Sequence, residues 1–391
     1  MTRWLVIADY LDPELPGGSA RVAWETARAL AARGHDVRLA AGRARACPPA
    51  CEGGLRADWF VWPGVLGLPG RVRTAVARLL GDGPPDVVLA HQPLSAALAL
   101  GLPALRGVPL LYVFHSPWHL EYEWNRGRDR WSSWLGSWVR RAIERRVVGR
   151  AARIFTLSEA MAREASAAHP GLDPTRLARL PGGVDPGRFR PGPRDPAVRR
   201  ELGIPEDAVL VLSARRLVPR TGLVPLVEAF ARLAQDIPAA FLAIAGSGPA
   251  EESVRAVIAR HGLGRRVVLS GALPEARLPA VLREADLFVM PSQGLEGLGL
   301  ALLEAMACGV AVLGTPVGGM AELLRAFDGR CLTAGTDPAE LERGLRRFLI
   351  APDLRTEIGI RAAAFARAGR AWENGARALE AAILGLPPKG P

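Results

Sequence analysis

The stretch DLFVMPSQGLEGLGLALLEAMACG, residues 286–309, is the clearest sign of how this chain folds. It opens with a short apolar run, passes through a loop punctuated by glycines, and continues as a segment rich in Leu and Ala. A buried strand, a glycine-rich turn and a helix in that order form the first part of a βαβ unit. We expect the backbone amides of residues 297–300 to face an anion at the N-terminus of that helix.

The same alternation of strand and helix extends through the rest of the chain. Apolar, strand-like runs lie at residues 3–9, 36–41, 57–62, 86–90, 109–114 and 153–157, and again at 208–214, 239–246, 267–271, 286–290 and 310–314. Such alternation predicts parallel sheets covered by helices on both faces. The run PGGVDPGRFRPGPRDP at residues 181–196 has no periodicity and is predicted to be a linker.

The pattern therefore predicts an α/β protein with two Rossmann-like domains that face a central cleft. We place the N-terminal Rossmann-like domain at residues 1–184 and the C-terminal Rossmann-like domain at residues 185–370. Residues 371–391 are predicted to form a C-terminal helix that packs back on the N-terminal domain.

Composition limits the classes of function. The chain has 391 residues, and its 49% hydrophobic and 23% charged content is that of a soluble globular protein. Lys and Arg total 50 against 39 Asp and Glu, and this net charge of +11 favours anionic partners. The apolar runs are too short to span a bilayer or to act as a signal peptide, and four cysteines set no disulfide framework. We expect a cytoplasmic protein.

Two loops that follow predicted strands carry groups suited to phosphate. Gly17 and Gly18 follow the first strand, and Ser19 is a good N-cap for the next helix, so free amides and the helix dipole would attract an anion. Three arginines follow the strand at residues 208–214, at positions Arg215, Arg216 and Arg220. Ligands of α/β sheets bind at strand carboxyl ends, and guanidinium groups match phosphate oxygens.

Two carboxylates flank the glycine-rich loop of the opening stretch. Glu296 and Glu304 are eight residues apart, which on a continuous helix is about 12 Å of rise. The paired acids of glycoside hydrolases lie closer, at roughly 5–9.5 Å. The spacing therefore favours two acids that grip the two ends of one long ligand by its hydroxyl groups.

Taken in order, these pieces resemble the retaining glycosyltransferases of family 4, which have the GT-B fold. The resemblance covers roughly residues 4–372, and its stretches are PGGSARVAWETARALAARGHDV, FHSPW, PGGVDPGRF, SARRLVPRTGLVPLVEAF, AIAGSGP, the Glu296–Glu304 segment and GTPVGGMAEL. It implies transfer of a sugar, typically a hexose, from a nucleotide-diphosphate sugar to a glycan, lipid or small-molecule acceptor. It makes residues 1–184 the acceptor-side domain and residues 185–370 the nucleotide-sugar-binding domain. It also implies retention of the anomeric configuration, no bound metal, and no cofactor beyond the donor substrate.

Carried over by position, the resemblance implies a role for each matching residue. Gly17 and Gly18 would meet the donor diphosphate or the transferred sugar, and His115 would lie close to that sugar. Glu296 would bind hydroxyls of the donor sugar, beside the amides of Gly297 and Leu298. Arg216 would clamp the diphosphate and Glu304 would bind the ribose. The residues implied nearest to catalysis are His115, Glu296 and Arg216.

One position departs from the family pattern. The family usually has Lys just before the glycine of the arginine loop, whereas this chain has Thr221. Loss of that charge would weaken the grip on the leaving diphosphate, and we expect the adjacent Arg220 to substitute for it.

Two other classes of function remain open. The chain could be a GT-B protein of another reaction, such as a nucleotide-sugar epimerase or phosphorylase. It could also be a non-catalytic binder of an anionic polymer, although no helix-turn-helix, zinc finger or aromatic RNA-binding signature predicts nucleic acid. His91, His119, Glu121 and Glu123 match no metal-ligand spacing, so no metal is assigned.

The segment at residues 118–150 combines five tryptophans with eight arginines. Three interpretations are open. The segment could dock on an anionic membrane at its inner face, as interfacial helices that combine Trp with basic residues do. Alternatively, Trp131, Trp134 and Trp138 could form one helix face that packs on the domain core. Finally, Trp118 and Trp124 could line an acceptor pocket.

Overall fold

The computed structural model describes residues 1–11, 17–45, 48–62, 67–81, 83–126 and 131–385. Contacts within the chain divide it into two compact units. Unit 1 consists of Met1–Gly182 together with Trp372–Pro391, and unit 2 of Gly183–Ala371.

Unit 1 contains an eight-stranded sheet, as far as its residues are described. Its strands are β1 (Arg3–Ala8), β2 (Asp36–Arg43), β3 (Ala50–Glu52), β4 (Leu55–Val61), β5 (Val87–Ala90), β6 (Leu110–Phe114), β7 (Arg153–Thr156) and β8 (Leu177–Arg179). They lie in the order β3-β4-β2-β1-β5-β6-β7-β8. All neighbours are parallel except β3 and β4, which form an antiparallel pair at the edge.

Helices connect these strands. They are α1 (Gly18–Ala32), α2 (Leu68–Leu79), α3 (Pro93–Ala99), α4 (Trp118–Arg126), α5 (Trp131–Arg150) and α6 (Glu159–Ala168). Every residue of the central strand β5 is buried, as are the last five of β1. A strand covered by helices on both faces must be apolar throughout, which explains the continuous apolar runs in the sequence.

The last helix, α15 (Trp372–Leu384), belongs to unit 1 and contacts α1. Arg33 and His35 follow α1, and both bind the carboxylate of Glu380: Arg33 Nε lies 2.6 Å and His35 Nε2 lies 2.7 Å from Oε1. Trp372 is buried. Residues 386–391 of the predicted C-terminal segment lie outside the described residues.

Unit 2 contains a five-stranded parallel sheet among its described residues, in the order β11-β10-β9-β12-β13. The strands are β9 (Val209–Ala214), β10 (Ala240–Ala245), β11 (Val267–Gly271), β12 (Leu287–Met290) and β13 (Ala311–Gly314). Its helices are α7 (Pro196–Glu201), α8 (Leu223–Leu233), α9 (Glu251–Arg260), α10 (Leu278–Glu284), α11 (Leu300–Ala307), α12 (Gly318–Phe327), α13 (Pro338–Leu349) and α14 (Pro352–Arg367).

The fold class is confirmed, since each unit is a helix-covered, mainly parallel sheet. Two short strands, β3 and β8, were not predicted because three residues are too few to show a pattern. The N-cap was also misplaced. Gly17 caps α1 and Ser19 lies inside its first turn, where the Ser19 hydroxyl accepts a hydrogen bond from Gln92 Nε2 at 2.9 Å. No helix in the described part of the chain is both long and apolar enough to cross a bilayer.

Candidate functional site

Most of the predicted site residues follow strands at which the strand order of each sheet reverses. In unit 2 the chain proceeds from β9 outward to β10 and β11, then crosses to β12 and β13 on the other side. In unit 1 the same reversal separates β1 from β5. A crevice opens at the carboxyl ends of strands at such a point, and it is the usual ligand site of open α/β sheets.

In unit 2, the carboxylate of Glu296 is fixed in the loop after β12. Arg215 Nη2 lies 3.0 Å from Glu296 Oε2, and Ser292 Oγ donates a hydrogen bond to the same oxygen at 2.8 Å. Ser292 is fully buried, and its own carbonyl accepts from Thr315 Oγ1 at 2.6 Å. Glu296 Oε2 is therefore held by two donors.

The backbone at Glu296 is fixed as well. Its carbonyl accepts a hydrogen bond from the Gly319 amide at 2.9 Å, at the start of α12. A Cβ atom at Gly318 would lie 2.1 Å from that carbonyl oxygen, so only glycine fits there. The preceding residue, Leu295, has φ 53°, a left-handed conformation that is costly for a leucine and is found mainly at functional loops.

Arg215, one of the three arginines expected to bind phosphate, pairs with Glu296 instead. Its side chain is only 8% exposed, and burial lowers its pKa while Glu296 opposes that shift. Its Nε and Nη1 atoms are buried and form no hydrogen bond with the described residues. Arg215 was counted among the three arginines of the loop, but nothing in the sequence indicated that it, rather than its neighbours, would pair with Glu296.

The other two arginines take different positions. Arg216 is exposed, as a residue that meets a ligand from solvent should be. Arg220 turns toward the Glu296 loop, and its Nη1 donates to the Leu295 carbonyl at 3.2 Å. Thr221 is buried, and its hydroxyl donates to the Val218 carbonyl at 2.6 Å.

Gly222 ends this loop and has φ 74°. A Cβ there would lie 1.8 Å from the Pro291 carbonyl oxygen, so glycine is required for the close approach of the two loops.

The second predicted carboxylate lies on α11. This helix begins at Leu300, directly after Gly299 with φ 82°, and Glu304 is buried within it. Gly297 and Leu298 lie between Glu296 and the helix, so their amides come just before the helix N-terminus in the chain. Unit 2 thus brings Arg216, Arg220, Glu296, Gly297, Leu298 and Glu304 into two adjoining loops and one helix.

In unit 1, Gly17 is the N-cap of α1 and Gly18 is its first residue. Gly17 has φ −70°, and neither glycine has a positive φ. A Cβ added at either position would meet no atom of the described residues within 4 Å. The packing of the described part of unit 1 therefore does not require glycine at these two positions. Pro16 lies outside the described residues.

His115 follows β6 and pairs with a second histidine at the end of β5. His91 Nδ1 lies 3.2 Å from His115 Nε2, and the two rings stack with centroids 5.5 Å apart. Burial lowers the pKa of His115 to about 4, against the opposing charge of Glu121. Burial and the neighbouring His115 also hold the pKa of His91 well below its usual value. Both imidazoles are therefore neutral near pH 7, and each ring nitrogen acts as either donor or acceptor.

Asp9, at the end of β1, is a buried acid that the sequence analysis did not single out. Its Oδ1 accepts from the Ser95 amide at 2.7 Å, and its own amide donates to Gln92 Oε1 at 2.9 Å. Burial raises its pKa to about 6, partly offset by the Ser95 hydrogen bond. These bonds join the end of β1 to the start of α3.

The acids near His119 are used within the protein. Glu121 accepts from Ser116 Oγ at 3.0 Å, and Glu123 accepts from Ser137 Oγ. Among the described residues, no three side chains of His, Cys, Asp or Glu lie close enough together to hold a metal ion.

Two protein families match the sequence. Glycosyltransferase Family 4 matches residues 16–188, and glycosyl transferases group 1 matches residues 195–365. The chain is 31% identical to a D-inositol 3-phosphate glycosyltransferase of Acidothermus cellulolyticus, over 95% of this chain and 88% of that one. It is 37% identical to a GDP-mannose-dependent alpha-(1-6)-phosphatidylinositol monomannoside mannosyltransferase of Mycolicibacterium smegmatis, over 50% of this chain and 51% of that one.

Solved structures share the fold at lower identity. Sucrose-phosphate synthase from Thermosynechococcus elongatus superposes with a TM-score of 0.80 at 22% identity, covering 98% of both chains. HepE of Anabaena, in complex with UDP and glucose, superposes with a TM-score of 0.76 at 20% identity, covering 99% of this chain and all of that one.

Proposed function

Because the chain belongs to the family-4, group-1 glycosyltransferases and has the α/β architecture of GT-B enzymes, we propose that it retains the anomeric configuration of the sugar it transfers from a nucleotide-diphosphate donor. The observation that carries the proposal is the Glu296 carboxylate, held by buried Arg215 and Ser292 at the strand-order reversal of unit 2. The acceptor is a glycan, lipid or small molecule.

Glu296 binds hydroxyl groups of the donor sugar. A carboxylate whose Oε2 is fixed by two protein donors keeps its orientation, and its Oε1 remains an acceptor for sugar hydroxyls. The amides of Gly297 and Leu298 lie directly beyond it and donate to the same end of the donor. Glu304, one turn into α11, binds the ribose hydroxyls.

The diphosphate is held by positive groups that need no metal. Exposed Arg216 contacts the phosphate oxygens, and the N-terminus of α11 adds the positive end of its dipole. Arg220 supports this clamp in place of the lysine that Thr221 replaces. These charges stabilise the negative charge that grows on the leaving diphosphate.

Two further assignments concern unit 1. Gly17 and Gly18 have no side chain beside the first amides of α1, and we assign them to the donor diphosphate or the sugar. His115 lies near the transferred sugar as a neutral hydrogen-bonding group, positioned by His91.

Retention follows from attack on the face that the diphosphate leaves. The bond from the anomeric carbon to the phosphate oxygen breaks, and the acceptor oxygen bonds to that carbon on the same face. The acceptor proton passes to the leaving phosphate oxygen, so no protein nucleophile is required. The enzyme contributes positioning and charge stabilisation. We place this activity in the cytoplasm.

The test is a donor screen followed by product analysis. Purified protein is incubated with UDP-, GDP- and ADP-sugars and mixed acceptors, with and without EDTA, and products are examined by NMR. We expect one donor class to react, the product linkage to keep the donor's anomeric configuration, and EDTA to have no effect. An inverted product would contradict the retaining mechanism. An epimerised nucleotide sugar formed without acceptor, or a dependence on free phosphate, would favour the epimerase or phosphorylase alternative.

Glu296→Gln is the diagnostic variant, and Glu252→Gln is its matched control because Glu252 is an exposed acid on α9. We expect Glu296→Gln to lose sugar transfer and Glu252→Gln to transfer sugar at the wild-type rate.

A further inference from the structure

Helix α5 presents an apolar surface to solvent. Trp134 is 69% exposed and Trp138 is 59% exposed, and Leu135 and Val139 lie beside them on the same helix with more than two fifths of their surface exposed. Trp124, on the neighbouring α4, is 43% exposed. We call these five residues the tryptophan surface. Such clustering of large apolar side chains is uncommon on a protein that meets only water.

This exposure contradicts one of the interpretations drawn from sequence. Core packing is wrong for Trp134 and Trp138. Trp118 is half-buried and lies under the guanidinium of Arg140, at 5.1 Å from its ring centroid. The side chain of Trp131 lies outside the described residues, as do Arg128 and Arg130 and the side chain of Arg126.

The helix is anchored by its opposite side. Arg140 also stacks on Tyr122 of α4, with 3.7 Å between its guanidinium carbon and the ring centroid. Fully buried Glu144 accepts from the Trp118 amide and from Tyr112 Oη, both at 3.2 Å. Since Tyr112 lies in β6, these contacts fix α5 to the sheet of unit 1. The tryptophan surface thus lies on the side of α5 opposite these anchoring contacts.

Exposed arginines follow the tryptophan surface on the same side of α5. Arg141, Arg145 and Arg146 are exposed, and at 100° per residue they fall within the same arc of about 160° as Trp134 and Val139. The only acidic residue in the α5 sequence is Glu144, which points away from this arc and is buried. Along the exposed face of α5, apolar side chains therefore come toward the N-terminus, and the charged side chains that follow them are all basic.

We propose that this face docks the protein on an anionic lipid bilayer. Indole rings favour the interface between headgroups and acyl chains, where they bury apolar area without crossing the membrane. Arginines that follow on the same face bind lipid phosphates bidentately. The charge complementarity selects an anionic bilayer over a second copy of this chain, because a second copy would bring the same positive charges together.

The test is flotation of the full chain with vesicles of phosphatidylcholine alone or mixed with phosphatidylglycerol. We expect binding to the mixed vesicles at about 0.05 M salt, and much less at about 1 M, where the Debye length is about 3 Å. Phosphatidylcholine alone should bind weakly. Arg141→Gln/Arg145→Gln/Arg146→Gln should lower partitioning into mixed vesicles roughly 10–100-fold. Trp134→Ser/Trp138→Ser should lower it at both salt concentrations.

Matched controls remove the same groups elsewhere. Arg200→Gln/Arg265→Gln/Arg325→Gln takes three exposed arginines from unit 2, and Ile350→Ser/Ile360→Ser takes two highly exposed apolar side chains from it. Both controls should bind vesicles like the wild type.

Several results would overturn the proposal. These are no binding of wild type to mixed vesicles at low salt, equal losses in controls and test variants, or full binding by Trp134→Ser/Trp138→Ser. A dimer in light scattering that this variant dissociates, with no vesicle binding, would assign the face to a second copy. Nucleotide binding measured on the same variants should be unchanged, so failure here is distinct from failure of the proposed transferase activity.

Discussion

Arg215 and Glu296 are 81 residues apart in the chain, yet Arg215 Nη2 lies 3.0 Å from Glu296 Oε2, and their side chains are only 8% and 14% exposed. The pair joins the loop after β9 to the loop after β12. Because both charges have left bulk water, each depends on the other. Arg215 acts as a positioning residue for the carboxylate that we assign to the donor sugar.

Replacement of Arg215 by Met should therefore destabilise the protein by about 3 kcal/mol or more, since it leaves Glu296 without its charged partner. Arg215→Met/Glu296→Gln should be less destabilised than the sum of the two single variants, because no uncompensated charge remains. Denaturant unfolding of the four proteins measures the coupling free energy. Additive effects would mean that the ion pair contributes nothing beyond packing.

Arg216→Ala should reduce transfer more than Arg220→Ala. Exposed Arg216 is assigned to the diphosphate directly, whereas Arg220 also holds the Leu295 carbonyl. Steady-state kinetics with the donor varied gives kcat/KM for each variant, and Arg200→Ala is an exposed-arginine control. If Thr221→Lys tightened donor binding while Arg220→Ala had no effect, Arg220 would not be the substitute for the missing lysine.

Gly17→Ala and Gly18→Ala should leave the free energy of unfolding within about 1 kcal/mol of wild type, because the added methyl meets no atom of the described residues. Donor turnover should nevertheless fall about 100-fold, since the methyl groups occupy the space of the approaching ligand. Gly222→Ala is the contrasting variant: its Cβ would overlap the Pro291 carbonyl oxygen, so it should unfold readily. Undiminished turnover in both α1 variants would remove these glycines from the site.

Asp9 should make stability depend on pH in an unusual direction. Its folded pKa of about 6 exceeds the ordinary 3.8, so between these values the folded state keeps a proton that the unfolded state has lost. Its contribution to stability is present below pH 4 and is lost as pH rises to about 6. As pH rises from about 4 to about 6, the free energy of unfolding of Asp9→Asn should therefore increase by roughly 3 kcal/mol relative to that of wild type. A difference that does not change with pH, measured by urea unfolding, would place the Asp9 pKa near its ordinary value.

The strands, the two-part α/β architecture and most of the loops that carry the site could be predicted from sequence. Parallel strands that are buried on both faces have continuous apolar sequences, and glycine-rich turns follow their carboxyl ends. The loop of Gly297 and the arginine loop were found in this way.

Side-chain contacts between residues that follow different strands could not be predicted. Arg215, His91 and Asp9 acquire their partners only when strands distant in sequence become neighbours, and a single sequence has no periodicity that records such contacts. The outward direction of Trp134 and Trp138 was similarly hidden, because helical spacing identifies a face but not what covers it.

The central claim is that Glu304 and Glu296 bind opposite ends of one donor. The most direct measurement is calorimetric titration of wild type, Glu304→Gln, Glu296→Gln and the Glu252→Gln control with the free nucleoside diphosphate of the reactive donor, beside their rates of transfer. We predict that Glu304→Gln weakens nucleotide binding by about 1–3 kcal/mol, since it loses charge-assisted hydrogen bonds to the ribose. Glu296→Gln should bind the nucleotide almost normally while transfer collapses. Equal loss of nucleotide binding in both variants, or unchanged binding in Glu304→Gln, would contradict the account.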